Sequence, residues 1–416
     1  MLDIKFIREN PETIKEGCRK KHVKLDIDRL LELDIIKREC LEKIENLRHE
    51  LNTISNKNKK PTLQEIAKGK KVKEEIKGLE AKFKEIEVEF NALIAQVPIP
   101  PATDVPEGKS EEENVLVRTW GKPPKFDFEP KDHITLMGNL DLLDLDRGAK
   151  IGGFRQYVIK NEAVLIEQSL LRWSLDILTK KGFIAHRPTV MVKEFALFGT
   201  GMFPKGKEET YKTDDELFLG GTTEVPLMAQ YANEELSEKD LPLKMVGISE
   251  AFRREVGSYG RDIKGIMRVH EFWQTEQVVI CKNDLAESIK LHEELLKNSE
   301  ELLQQLELPY RVVNVCGGEL SDGQVKRYDI ETWVPSQEKY RETHSDSYLL
   351  DFQTRRLNIK YREKDGKLKF AHSLNQTAIA VPRILIPLIE NNQQKDGSIK
   401  IPKVLQKYLG FKTVKK

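Results

Sequence analysis

From Leu33 onward the apolar residues fall at Leu33, Ile36, Cys40, Ile44, Leu47, Leu51 and Ile54. Every step is three or four residues, which is the seam of a coiled coil and predicts a long helix with a single apolar stripe. A second seam runs through Val72, Ile76, Leu79, Phe83, Ile86, Phe90, Leu93 and Val97. Between the two, Pro61 breaks the chain, and Thr62 with Glu65 makes a capping-box signature that restarts a helix. At a helical rise of about 1.5 Å per residue each limb extends about 45 Å, so the two seams can bury each other in an antiparallel hairpin projecting from the body. A spacer or dimerisation element is the other role open to such a coil.

The pattern changes at residues 98–113, "PIPPATDVPEGKSEEE", where proline and acid rule out a continuing helix. This is the expected boundary between an N-terminal domain, 1–113, and a second domain, 114–416. Beyond it "NVLVRTW" reads as a strand, "NEAVLIEQSLLRWSLDILTKKGF" as a helix ending at Gly182, and "FIAHRPTVMV" as strand-like with Pro188 inside it. A helix is expected near 284–306, strands at "PYRVVNVC", "RYDIETWVP" and "LNIKYRE", and a last helix after "LNQTAIAVPR". Irregular strand spacing without a glycine-rich strand-to-helix turn argues for an α+β fold, an antiparallel β-sheet flanked by helices, rather than a doubly wound parallel sheet.

Length supports two domains, since 416 residues exceed what one core usually organises. With 33% charged residues and no apolar run long enough to span a bilayer, no membrane is implied, and the mixed-charge start "MLDIKFIRENPETIKEG" reads as cytoplasmic. Cys18, Cys40, Cys281 and Cys316 are too dispersed for a zinc site or a disulfide framework. A net charge of +1 hides one strong asymmetry. The tip between the seams gathers Lys57, Lys59, Lys60, Lys68, Lys70, Lys71 and Lys73 around the single acid Glu65. A positive cluster at the end of an arm suits a phosphate backbone, which makes nucleic acid the leading partner.

Candidate chemistry concentrates in "FRREVGSYGRDIKGIMRVHEF", residues 252–272. Arg253 and Arg268 can hold phosphate by charge-assisted hydrogen bonds while Phe272 stacks on a base and Glu255 accepts an adenine amino group. Gly257, Gly260 and Gly265 give the intervening loop freedom to close, and Arg254, Arg261 and Lys264 keep it positive. Taken alone, the stretch reads rather as a basic surface hairpin whose arginines make salt bridges.

Four segments together resemble seryl-tRNA synthetases, a class II aminoacyl-tRNA synthetase family, over essentially the whole chain. They are "TTEVPL" at 222–227, "FRREVGSYGRDIKGIMRVHEFWQTE" at 252–276, "YRETHSDSYLLDFQTRR" at 340–356, and "SLNQTAIAVPRILIPLIENNQQKDGSIKIP" at 373–402. The resemblance implies a class II catalytic sheet behind a tRNA-gripping helical arm, ATP and Mg2+ as cofactors without zinc, and L-serine and tRNA(Ser) as substrates, with tRNA(Sec) a further candidate. It also implies a homodimer built around residues 163–190.

Carried over by position, Thr222, Thr223 and Glu224 belong to the amino-acid pocket. Arg253 bridges the serine carboxylate and the ATP α-phosphate. Arg254, Glu255, Arg268 and Phe272 belong to the nucleotide site. Glu276 lies near the serine amino and hydroxyl groups, and Asn375 and Thr377 close the pocket. Glu342 and Ser345 are the implied magnesium pair, with Thr343 and His344 between them in the ATP-binding segment. Arg383 meets the γ-phosphate. His270 is expected to orient its strand.

The chain departs from the family pattern at "NQT", where Asn-Gly-Ser is common, so Gln376 is expected to put a side chain where glycine permits close backbone approach to ligand. Pro382 suits the first turn of a helix, whereas Pro387 should kink it. A tRNA-gripping paralogue without catalysis would not need Arg253 and Arg383. Other class II synthetases carry a folded domain after the third motif, and a ligase for a carrier protein would lack the arm.

Overall fold

A computed structural model describes residues 1–55, 62–256 and 264–416, so Lys57, Lys59, Lys60, Gly257, Gly260 and Arg261 lie outside the described residues. Two compact units part between Pro100 and Pro101. In the first, short helices Ile4–Glu9 and Pro11–Lys20 precede two long helices, Ile27–Ser55 and Leu63–Ile94. The Thr62 hydroxyl accepts the Glu65 amide and the Glu65 carboxylate accepts the Thr62 amide, so the capping box forms as its spacing dictates. Leu33, Cys40, Ile44, Val72, Ile76, Ile86 and Phe90 are buried along the seam. Arg29 pairs with Glu89, Lys37 with Glu87, Arg48 with Glu80 and Glu50 with Lys68. Partner numbers run in opposite directions along the two limbs, as an antiparallel hairpin requires.

The second unit is built on an eight-stranded sheet. In chain order its strands are β1 (Val115–Trp120), β2 (Ile184–His186), β3 (Leu243–Phe252), β4 (Glu271–Cys281), β5 (Tyr310–Asn314), β6 (Lys326–Val334), β7 (Lys339–Leu350) and β8 (His372–Ala380). The spatial order is β1-β5-β6-β7-β8-β4-β3-β2, antiparallel throughout except for β2 against β3. Residues preceding β1 pack within this unit: the Ala102 amide donates to the Val325 carbonyl, and the Asn314 side-chain amide donates to the Asp104 carbonyl. One face carries helix Leu285–Gln305, whose N-cap Asp284 accepts from the Glu287 amide.

Local outcomes differ from the sequence pattern in two places. The stretch 183–192 splits into β2 and the two-residue strand Met191–Val192, because Pro188 has no amide to extend the ladder. A further short helix, Lys403–Leu409, follows the one expected to be last. As expected, the helix Val381–Asn391 holds Pro382 in its first turn, and it includes Pro387.

Bulges interrupt the central ladders, and two of them shape the site. In β7, Ser345 faces Asp329 and Glu342 faces Glu331, so Thr343 is the extra residue. In β8, Thr377 faces Glu276 and Ile379 faces Thr275, so Ala378 is the extra residue. An extra residue reverses the alternation of side chains beyond it. Glu342 and Ser345, three apart and on opposite faces of a regular strand, are thereby brought to the same face.

Candidate active site

A cavity of about 430 Å³ opens on the face of the sheet opposite helix Leu285–Gln305, and Thr222, Glu224, Arg253, Phe272, Glu276, Glu342, Thr343, His344, Ser345, Asn375, Thr377 and Arg383 line it. Segments far apart in the chain supply these residues, so only the folded protein assembles them. Glu255 and Arg268 line an adjoining cavity of about 390 Å³ that also includes Arg253, with Arg268 Nη1 3.6 Å from the Glu255 carboxylate. Two expected residues stand apart. Thr223 is fully buried behind the pocket, its hydroxyl 2.8 Å from that of Ser249. Arg254 is exposed, donates to the Glu208 carbonyl and faces a different cavity beside Lys207, Tyr211 and Lys212.

At one end of the main cavity two carboxylates meet. Glu276 Oε2 accepts the Thr222 hydroxyl, the Glu224 amide at 3.0 Å and the Gln274 side-chain amide at 2.8 Å. Glu224 Oε1 accepts the side-chain amides of Gln353, at 2.7 Å, and Asn375. Both acids are buried. Burial, and then the charge of Glu276, pushes Glu224 up to about 7, and burial also raises Glu276 despite the donors around it. Two buried acids, with no lysine or arginine among the described residues bonded to either, form a subsite for a small cation that also carries hydrogen-bonding groups.

The other end is positive. Arg253 Nε donates to the Gly221 carbonyl at 2.9 Å, and its guanidinium carbon lies 5.3 Å from the Phe272 ring centre. Burial, and then the neighbouring charge of Arg383, lowers the Arg253 pKa. Arg383 donates to Glu342 at 3.0 Å. Burial would raise Glu342, but the guanidinium groups of Arg383, Arg327, Arg253 and Arg268 together hold it below the usual carboxylate range. Glu342 therefore stays anionic, and with the Ser345 hydroxyl on the same face it offers hard oxygen donors that fit Mg2+.

Histidines in this region hold backbone. His270 Nδ1 donates to the Arg253 carbonyl and the Arg253 amide donates to the His270 carbonyl, both at 2.9 Å, which ties the two strands carrying Arg253 and Phe272. His344 Nε2 donates to the carbonyl of Ala378 at 3.0 Å and its Nδ1 is 2.8 Å from the Thr343 hydroxyl, so one ring joins the two bulges. Burial pushes His344 down to about 4, and the ring is neutral. Gly265 has φ +78°, and a Cβ there would come within 2.4 Å of His133 Nε2.

The expectation for Gln376 is corrected. Asn375 and Thr377 line the cavity, whereas Gln376 between them is fully buried and opposite Gln277, whose amide bonds to Ser299 of helix Leu285–Gln305. Strand alternation puts Gln376 on that helix-covered face, away from the pocket. Sequence reasoning also missed lining residues, among them Arg327, Gln274 and Gln353. Gln274 lies two residues before Glu276 in a strand, a spacing that puts it on the same face. Gln353 gave no such signal, since its position depends on a turn out of β7.

The family model described as tRNA synthetase class II core domain (G, H, P, S and T) matches residues 208–392, and the seryl-tRNA synthetase N-terminal domain matches residues 1–100. A serine–tRNA ligase of Deinococcus radiodurans is 46% identical over 419 residues, covering 100% of this chain and 99% of that protein. The chain belongs to the seryl-tRNA synthetase family. Another relative, the serine–tRNA ligase of Pyrococcus horikoshii, is 41% identical over 446 residues, covering 100% of this chain and 97% of its own length. The crystal structure of the seryl-tRNA synthetase from P. horikoshii complexed with ATP superposes with a TM-score of 0.93 at 40% identity, covering 100% of this chain and 99% of that one. That of the cytoplasmic serine–tRNA ligase from Naegleria fowleri in complex with AMP gives 0.89 at 33% identity, with the same coverage.

Proposed function

We propose that this seryl-tRNA synthetase activates L-serine with ATP and transfers it to the 3′ end of tRNA(Ser), with tRNA(Sec) a further substrate candidate. The observation that carries this reading is the single cavity that is acidic and hydrogen-bonding at one end and rich in guanidinium at the other.

Serine's ammonium group pairs with Glu224 and Glu276, and its hydroxyl meets Glu276 and Thr377. The carboxylate, already a nucleophile, needs no side-chain base. It attacks the α-phosphorus, the bond to the bridging oxygen of pyrophosphate breaks, and seryl-adenylate forms. Arg253 spans carboxylate and α-phosphate, and Arg383 and Arg268 take charge on the departing phosphates. Glu342 and Ser345 would hold Mg2+, which offsets phosphate charge when bound. The hydroxyl of the tRNA 3′-adenosine then attacks the seryl carbonyl and releases AMP.

The lysine-rich tip is the proposed contact for the tRNA backbone; Lys70, Lys71 and Lys73 are exposed there, and Lys68 makes only an exposed pair with Glu50. A homodimer is supported by apolar side chains left exposed on the second unit: Val164, Leu165 and Ile184 within 163–190, and Leu116, Ile151 and Phe154 before it.

ATP–pyrophosphate exchange with each amino acid in turn tests the reading, and serine should dominate. A pocket built to bond a hydroxyl rejects alanine by as much as about 10⁴-fold, because buried groups would be left unpaired. Glu276→Ala should collapse that preference. An unchanged serine-over-alanine ratio of kcat/KM would remove Glu276 from the pocket.

A further inference from the structure

Behind the acidic end of the cavity lies a side chain with no part in the chemistry above. Gln353 sits in the first turn of the short helix Phe352–Leu357 and is 1% exposed. Its Nε2 donates to Glu224 Oε1 at 2.7 Å and to the Thr200 carbonyl at 3.1 Å. Its Oε1 accepts the Ser373 hydroxyl at 2.7 Å. The two groups facing Nε2 are both acceptors, so a flipped amide would set oxygen against oxygen twice, and only one orientation satisfies the site. A buried amide with both protons and its oxygen engaged is a rigid arm. It reaches from helix Phe352–Leu357 to the carboxylate.

We propose that Gln353 is a positioning residue of the amino-acid pocket, fixing the Glu224 carboxylate in the orientation that takes up the substrate's ammonium group. The proposal rests on the placement of serine's ammonium at Glu224. Asn375 holds the same oxygen from β8, so the two amides leave Glu224 Oε2 as the oxygen to which none of the described amides donates, on a residue that lines the cavity. They also favour the charged form. The titratable group facing Glu224 is Glu276 on β4, which in turn faces Arg253, while β8 and the helix Phe352–Leu357 present neutral amides. Burial beside Glu276 raises Glu224, and Gln353 and Asn375 act against that rise. Without Gln353 the carboxyl is both freer to turn and protonated to higher pH. Serine then loses its ionic partner most severely near neutrality.

The test is serine-dependent ATP–pyrophosphate exchange by the full-length enzyme at pH 6.5 and 8.5. Gln353→Met, similar in length but without donors, should raise the KM for serine about tenfold or more at pH 6.5, while kcat and the KM for ATP stay within about twofold. The defect should shrink at pH 8.5 as Glu224 ionises, because a carboxyl with a raised pKa gains its charge late. Gln353→Glu keeps the shape, sets an acid against Glu224, and should give a larger defect with the same pH trend. Ser373→Ala, which removes the bond to the amide oxygen and leaves the arm freer to move, should raise the KM for serine by about threefold and serves if the Met variant does not fold. A folded Gln353 variant whose KM for serine is unchanged, or is raised equally at both pH values, would overturn the positioning role. Glu224→Gln separates the two levels: if it leaves the KM for serine unchanged, the ammonium assignment itself is wrong. If it raises the KM while the Gln353 and Ser373 variants do not, only the role of Gln353 fails.

Discussion

Arg253 and Arg383 line the same cavity from different elements, one immediately after β3 and the other in the first turn of helix Val381–Asn391. Burial and the neighbouring charge of Arg383 lower the Arg253 pKa, and the proposed polyphosphate would offset both. The planar guanidinium spans two oxygens at once, which an ammonium cannot do. Arg253→Lys or Arg383→Lys should therefore lower the exchange rate by roughly 10²-fold or more with little change in melting temperature. Near-normal exchange by Arg253→Lys would refute its bridging position. His344, by contrast, is a residue whose placement at the nucleotide end invites a catalytic reading that its bonds contradict. Both ring nitrogens are engaged within the sheet, and burial keeps the ring neutral.

The hairpin and the sheet belong to separate compact units. The arm buries its own seam and makes its own ion pairs, and the compact units part at Pro100. A chain beginning at Pro101 keeps residues 102–108, which pack into the second unit, and is a better-placed truncation than one beginning at Val115. It should retain serine-dependent exchange and charge tRNA poorly. Replacing Lys68, Lys70, Lys71 and Lys73 with Gln should flatten the logarithmic salt dependence of tRNA binding by up to about 3 to 4 units, close to one for each phosphate that a lysine no longer neutralises. If the arm were a spacer or dimerisation element, the salt slope would stay the same and the truncated chain would sediment as a monomer.

Whole-molecule stability is set partly by groups buried without charge. His292 lies 3.3 Å from Asp346 but is no ion pair: burial drives the histidine down to about 3 and the aspartate well up. The signs of the two shifts are opposite in their effect on stability. The unfolded chain takes up a proton on His292 below about pH 6.5 that the folded chain refuses, so this group destabilises the fold progressively from pH 6.5 toward 3. Carboxyls raised by burial, including Glu167 and Asp329 at about 7, are protonated only in the fold, and their contribution is lost as pH rises from about 4 through 7. In denaturant melts, His292→Gln should be destabilised at pH 7. The gap to the unmodified enzyme should narrow by about 2 kcal/mol at pH 5, where the variant has no histidine to protonate. A gap that is constant with pH would mean that His292 titrates alike in both states.

Elements whose signal is local were legible in the chain. Heptad spacing and the Thr62–Glu65 cap required two long helices, and strand content without a glycine-rich turn required an antiparallel sheet. The arginines, acids and motif order of four separated segments sufficed to point to the family. Which faces those residues occupy was settled only when the chain folded. Glu342 and Ser345 share a face only because Thr343 bulges, a choice made by the pairing of β7 with β6 rather than by the strand's own pattern. Gln376 stands on the opposite face from Asn375 and Thr377, so its volume is absorbed under the long helix rather than in the pocket. Gln353 reaches Glu224 across 129 residues of sequence. Periodicity reports only on neighbours within a turn or two of chain, whereas register, bulges and contacts between distant segments are fixed when the strands pair.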